Sequence, residues 1–179
     1  MATITITEAL AELKVIDKKL EKKREFVTSY LFRQNLYKDP LDKDGGSKNL
    51  VAAERQAILD LEERKVRIRR AIAQANEVTP VTAGGKTRTI AEWLTWRRDV
   101  APTQQTFIRG LKQKLDAVRR DAQSKGLTVT ADTASQNDKD IIVNVSEKGL
   151  ADEAETLETT LATLDGQLSL KNATVTVEV

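Results

Sequence analysis

Apolar residues recur at alternating spacings of three and four along four long segments of this chain, and that spacing constrains the fold more than any other feature. In the third segment the row runs Ile90, Leu94, Arg97, Ala101, Gln104, Ile108, Leu111, Leu115, Val118, Ala122. One helical face therefore carries the apolar side chains and needs a partner to cover it. The pattern specifies packing rather than chemistry. The 179 residues suffice for one domain, or one long domain with an appendage. Charged residues make up 31% and aromatic residues 4%, a lean profile that suits extended helical bundles cored by Leu, Ile, Val and Ala. With no Cys and no His, the chain has no disulfide, thiolate metal site or imidazole base. The start, Met1-Ala-Thr-Ile-Thr-Ile-Thr7, has neither a basic run nor an apolar one. No stretch approaches a membrane span, so the expectation is a soluble protein made in the cytoplasm, with no membrane partner.

Thr7 is placed to N-cap the first helix, with Glu8 in its first turn and Leu10, Leu13, Ile16, Leu20, Val27 and Leu31 on one face. That helix is expected to run to about Leu36 and to stop at the Pro, Gly and Asp cluster of residues 37 to 47. A second helix from about Asn49 carries the row Val51, Glu54, Ile58, Leu61, Lys65, Ile68, Ile72, Ala75. Residues 8 to 77 thus read as an antiparallel helical hairpin. After a turn over Val78 to Lys86, Thr89-Ile-Ala-Glu92 matches a capping box opening a third helix. Pro102 removes one of its hydrogen bonds, which predicts a kink or break near Val100, and Gly126 ends it.

From Leu127 the period changes to two. Leu127 to Thr130 and Asp140 to Val145 read as two strands of a hairpin joined by a polar stretch from Ala131 to Lys139. Ser146 then caps an acidic fourth helix with the seam Leu150, Ala154, Leu157, Leu161, Leu164, Leu168, and residues 173 to 179 form a last strand. Both chain ends alternate alike, so they pair with each other in one sheet or with the ends of another copy. The expected fold is mainly α with a minor β part: an antiparallel long-helix bundle or coiled-coil hairpin, plus a small antiparallel sheet formed by residues 127–145 and the terminal strands. Residues 1–125 and 126–179 are its two parts, packed as one unit.

Charge is unevenly distributed. Residues 78–125 hold ten Lys or Arg against Glu92, Asp99, Asp116 and Asp121, giving +6, while residues 126–179 hold Lys139, Lys148 and Lys171 against ten acids, giving −7. These regions can meet within a subunit or set a register between subunits. Glu54, Lys65, Arg97 and Gln104 interrupt the apolar seams, where polar groups select helix register.

Fragments that imitate chemical motifs fail on spacing. Gly85-Lys86-Thr87 resembles the end of a phosphate loop, but the first glycine of that motif would fall on Pro80. Taking Gly45 as the glycine of a calcium loop puts Pro40 first and Val51 last, where carboxylates are required. The basic runs at 18–24 and 64–70 are interleaved with Glu21, Glu25, Glu62 and Glu63 at helix-neighbour spacings, which makes a salt-bridged face rather than a nucleic-acid site. Trp93, Trp96, Arg97 and Arg98 form the most distinctive cluster, read either as core packing at a helix end or as a protein contact site, since Trp and Arg dominate interface energetics. No catalytic, cofactor or metal site is expected.

Around Ile72-Ala-Gln-Ala-Asn76, Gly85-Lys-Thr-Arg-Thr-Ile90 and Leu94-Thr-Trp-Arg-Arg-Asp99, the chain resembles small septicolysin-like helical proteins of bacteria and phages over residues 7 to about 122. The resemblance implies a helical hairpin, a turn and a further helix, and assigns no activity. The long polar connection, Thr/Val-rich tail and helical body also look like accessory virion proteins of tailed phages. That likeness implies a non-catalytic structural or assembly protein, such as a capsid-associated or connector subunit, in a virion assembled in the host cytoplasm. Its partner would be itself or a larger assembly such as a phage capsid or neck, with no cofactor. The alternative is a nucleic-acid-binding or regulatory helical module using the basic face from Arg97 to Arg120.

Overall fold

The computed structural model describes residues 2–130 and 139–179, and it is mainly α with a minor β part. In chain order the elements are β1 (Thr3–Thr5), α1 (Ile6–Ser29), α2 (Ser47–Val78), β2 (Pro80–Ala83), β3 (Lys86–Thr89), α3 (Ile90–Thr95), a π-helical turn (Trp96–Val100), α4 (Ala101–Ser124), β4 (Thr128–Thr130), β5 (Asp140–Ile142), α5 (Glu147–Thr174) and β6 (Thr176–Glu178). Two compact units divide the chain differently from a cut at residue 125: residues 1–78 with 170–179, and residues 79–169. The reason is that α4 shares its core with α5, whose residues were placed beyond that cut.

The first unit is the expected antiparallel helical hairpin. Ile6, Ala9, Leu13, Ile16 and Leu20 of α1 bury against Ile68 of α2 and Val177 of β6. Each of these buried Ile, Leu and Val side chains contributes roughly 1.5–3 kcal/mol. Ion pairs flank the apolar seam, Lys23 with Glu54 at 2.6 Å and Lys65 with Asp17 at 2.5 Å. The charges inside the α2 row are thus matched by α1 in the same chain and fix its register. α1 ends at Ser29 rather than near Leu36. Because α2 begins only at Ser47, further turns of α1 would face no helix. Its N-cap is Thr5, not Thr7: the Glu8 N–H donates to Thr5 Oγ1 at 3.2 Å and the Thr5 N–H to Glu8 Oε2 at 2.7 Å.

β1 pairs antiparallel with β6, and Ala2 and Val179 exchange backbone hydrogen bonds at 3.1 and 3.0 Å. The terminal strands therefore pair with each other within one chain. The expectation of one antiparallel sheet is corrected in two respects. The strands form three separate pairs, and β4 pairs with β5 in parallel, Thr128 opposite Asp140 and Thr130 opposite Ile142. Alternation identifies a strand but not its direction, and the connection over residues 131–138 lies outside the described residues. Where a turn is expected over residues 78–86, residues 80–89 form the antiparallel hairpin β2–β3. Gly84 and Gly85 take φ of 54° and 72° at its tip, the paired positive values of the tight turn that matches strand twist.

The second unit contains the predicted capping box, with the Glu92 N–H on Thr89 Oγ1 at 3.2 Å and the Thr89 N–H on Glu92 Oε2 at 2.8 Å. Where a kink or break is expected near Val100, the structure has the π-helical turn. The Ala101 N–H reaches back to the Trp96 carbonyl, so the extra residue is absorbed just before proline interrupts the ladder.

One motif occurs twice in the chain. A long helix ends, one residue intervenes, a strand pairs antiparallel with a second strand, and the last residue of that second strand caps the next helix. The strand closing on Thr5 and the strand closing on Thr89 read Thr3-Ile-Thr-Ile-Thr-Glu-Ala-Leu10 and Thr87-Arg-Thr-Ile-Ala-Glu-Trp-Leu94, identical at five of eight positions. The cap residues have φ/ψ of −69°/159° and −68°/159°. The next N–H donates in each case to the residue between long helix and strand, Ile6 to Val175 O and Ile90 to Thr79 O, both at 3.0 Å. Ile68 and Leu164, the fully buried residues of α2 and α5, each lie ten residues before their helix's end.

Candidate functional site

The second unit holds an open cleft of about 570 Å³, walled by β2–β3, α3–α4 and α5. Its floor follows from the capping box, which starts α3 with Ile90 and Trp93 facing inward, both buried. The Trp93 indole N–H donates to the Val81 carbonyl at 2.9 Å. A Trp buries roughly 150–250 Å², of order 4–6 kcal/mol at 25 cal/mol per Å². Trp96 stands edge-on to Trp93 with centroids 5.2 Å apart, and Phe107, Ile108 and Leu157 continue the apolar surface. The Arg88 guanidinium lies 5.0 Å above the Trp93 ring, within cation–π range.

Gly84 brings the hairpin against α5. A Cβ there would lie 2.4 Å from Thr160 Oγ1, so the turn needs glycine both for its φ and for the approach. Thr160 spends its hydroxyl on the Thr156 carbonyl at 2.7 Å. The rim of the cleft is bipolar, with Lys86 and Arg88 on β3 and Asp152 and Glu153 on α5. Among the described residues none of these four enters an ion pair, whereas other charges of the unit do: Arg97 with Asp165 at 2.9 Å, and Arg119 with Glu147. The basic α4 and acidic α5 are thereby partly matched within one chain.

Seven residues beyond the capping threonines stand Glu12 and Trp96, and fourteen before the ends of α2 and α5 stand Arg64 and Thr160. In the first unit Arg64 grips Glu12 through two bonds, at 2.9 and 3.2 Å. In the second unit, Trp96 and Thr160 line open space instead.

The four residues singled out from sequence do not act together. Trp93 is 1% exposed, a core residue rather than a direct contact. Trp96 lines the cleft, while Arg97 is tied to Asp165. Arg98 donates to both carboxylate oxygens of Asp99 at 2.8 Å, holding that carboxyl below its usual range. Sequence reading missed Lys86, Arg88, Phe107, Asp152 and Glu153. Phe107, 65% exposed, had a signal, being a large apolar residue beside the Ile108 seam position rather than in it. Among the described residues no group of three or more acidic side chains is arranged to hold a metal ion, and no helix is long and apolar enough to cross a membrane.

Fold and cleft together define a mainly helical protein built on a repeated strand–cap–helix motif, with an aromatic, bipolar cleft in one repeat. No protein-family model and no curated protein matches the chain. Among solved structures, it is similar to a functionally unknown conserved protein from Corynebacterium diphtheriae, with 16% identity, a TM-score of 0.54, and coverage of 99% of this chain and 100% of that one. At this identity the likeness shows the fold alone.

Proposed function

We propose that this chain is a non-catalytic assembly protein that acts through protein–protein contacts, with the cleft of the second unit as its contact site. The observation that carries the reading is the contrast between the two repeats: where one pairs Arg64 with Glu12, the other sets Trp96 and Thr160 in a cleft with an aromatic floor and unpaired rim charges. Interfaces place aromatic anchors in such a setting and surround them with polar groups. In its specific form the reading is a capsid-associated or connector subunit of a tailed phage, which the architectural likeness supports. The terminal strands pair with each other within the chain, so they are not needed to join copies.

The test is mass by light scattering across concentration, at low and high salt, for the wild type and Phe107→Ala. The expected result is reversible association that weakens in the variant. A wild type that stays monomeric throughout, or a variant that associates unchanged, overturns the reading. The runner-up is nucleic-acid binding by α4, favoured by Arg109, Lys112 and Lys114, which enter no ion pair among the described residues. It predicts steeply salt-dependent retention of an oligonucleotide.

A further inference from the structure

The connection between α1 and α2 displays what the cleft lacks. Residues 31–38 are all exposed, and four of them are large and apolar: Leu31 at 67%, Phe32 at 85%, Leu36 at 85% and Tyr37 at 64%. A loose loop would fold such side chains inward, but this one is held in shape. Asp39 accepts from the Ser47 hydroxyl, from the Ser47 N–H at 2.8 Å and from the Leu41 N–H at 3.0 Å. Arg33 donates to the Tyr37 carbonyl at 3.0 Å. Asp39 thus anchors the loop to the first turn of α2, and Arg33 braces its outer part. An apolar patch pre-organised for contact loses little further entropy on binding.

Resting on the proposed contact role of the cleft, we propose that its occupant is this tip, residues 31–38, of a second copy of the same chain. Shape and charge both point there. The tip offers aromatic and aliphatic knobs to a cleft whose floor is Trp96, Phe107, Ile108 and Leu157. The tip ends in Lys38, and Asp42, Lys43 and Asp44 follow it in the same connection, so both signs stand at its base, none of these four in an ion pair among the described residues. The cleft carries the complementary unpaired set, Asp152 and Glu153 against Lys86 and Arg88. Complementary potentials of this kind fix orientation and suppress wrong pairings. Because tip and cleft are different surfaces, each copy is donor and acceptor at once, and the contact is heterologous. It propagates head to tail into a ring or a filament.

The experiment uses two full-length variants and their mixture. Phe32→Ala with Leu36→Ala blunts the tip, and Phe107→Ala with Glu153→Lys blocks the cleft; these side chains are exposed, and circular dichroism verifies that each variant folds. The wild type is expected to gain mass with concentration and each variant to be monomeric. An equimolar mixture is expected to reach the mass of a dimer and stop, because one intact tip meets one intact cleft and both outer ends are dead. A tip variant that keeps wild-type mass while the cleft variant dissociates overturns this inference and leaves the cleft as a contact site for another segment. A mixture that stays monomeric likewise overturns it, and a monomeric wild type overturns both.

Discussion

Thr5 and Thr89 each set the start of a helix, and each does so with the same carboxylate three residues on. Replacing either threonine by alanine should lower stability by about 1 kcal/mol in urea unfolding, with the helix otherwise intact; a loss below about 0.3 kcal/mol would mean that the paired strands alone fix the start. Asp39 acts by charge as well as geometry. The Ser47 hydroxyl first, then the Leu41 and Ser47 N–H groups, hold its carboxyl below the usual carboxylate range. A carboxyl lowered in the folded state stabilises it above the unfolded value and loses that contribution as pH falls through the folded one. Thermal unfolding of the wild type and Asp39→Asn should therefore differ most near neutral pH and converge under acid. A constant difference across that range would assign Asp39 a purely steric role.

At the level of elements, the helices and four of the strands are legible in the sequence, whereas the hairpin β2–β3 and the direction of the β4–β5 pairing are not. Alternating three and four spacings mark an amphipathic face directly, so α1, α2, α4 and α5 were readable, as was the disruption before Pro102. The hairpin β2–β3 is hidden in the sequence because Gly84-Gly85 fits the middle of a long turn as well as the tip of a tight one. The parallel pairing of β4 and β5 was not readable, since alternation carries no direction. Substitutions at the two glycines separate the reasons for them. Gly85→Ala meets nothing within 4 Å and bears only the strain of φ 72°, whereas Gly84→Ala also drives a Cβ to 2.4 Å from Thr160 Oγ1. A positive φ costs an alanine roughly 1–2 kcal/mol. Gly84→Ala should cost measurably more than that in denaturant unfolding, and equal losses at both sites would refute the close approach.

At the scale of the whole molecule, the repeat explains why the two chain ends meet. In one copy of the motif the paired strands are joined by Gly84-Gly85; in the other they are β6 and β1, with Val179 bonded to Ala2. A circular permutant that joins Val179 to Ala2 through Gly-Gly and opens between Gly84 and Gly85 should unfold cooperatively, with far-ultraviolet circular dichroism like the wild type's. Loss of cooperative unfolding would contradict the equivalence of the two strand pairs. The repeat was present in the sequence as Thr-x-Thr-Ile-x-Glu-x-Leu, and its signal is the spacing of identities rather than their number. The cleft was less legible because its residues come from three separated segments, and only the fold brings Lys86, Phe107 and Glu153 to one rim.

The absence of native Cys allows the most direct test of the contact, disulfide trapping between single-cysteine variants. Gln34→Cys, in the tip, and Gln104→Cys, on the cleft wall, are mixed under mild oxidation and the cross-linked heterodimer is timed against a Gln34→Cys and Ser124→Cys mixture. A disulfide forms readily only where Cα atoms come within about 4.4–6.8 Å, so tip-in-cleft seating predicts that the first pair outruns the second by a wide margin. Equal rates for the two mixtures would contradict it.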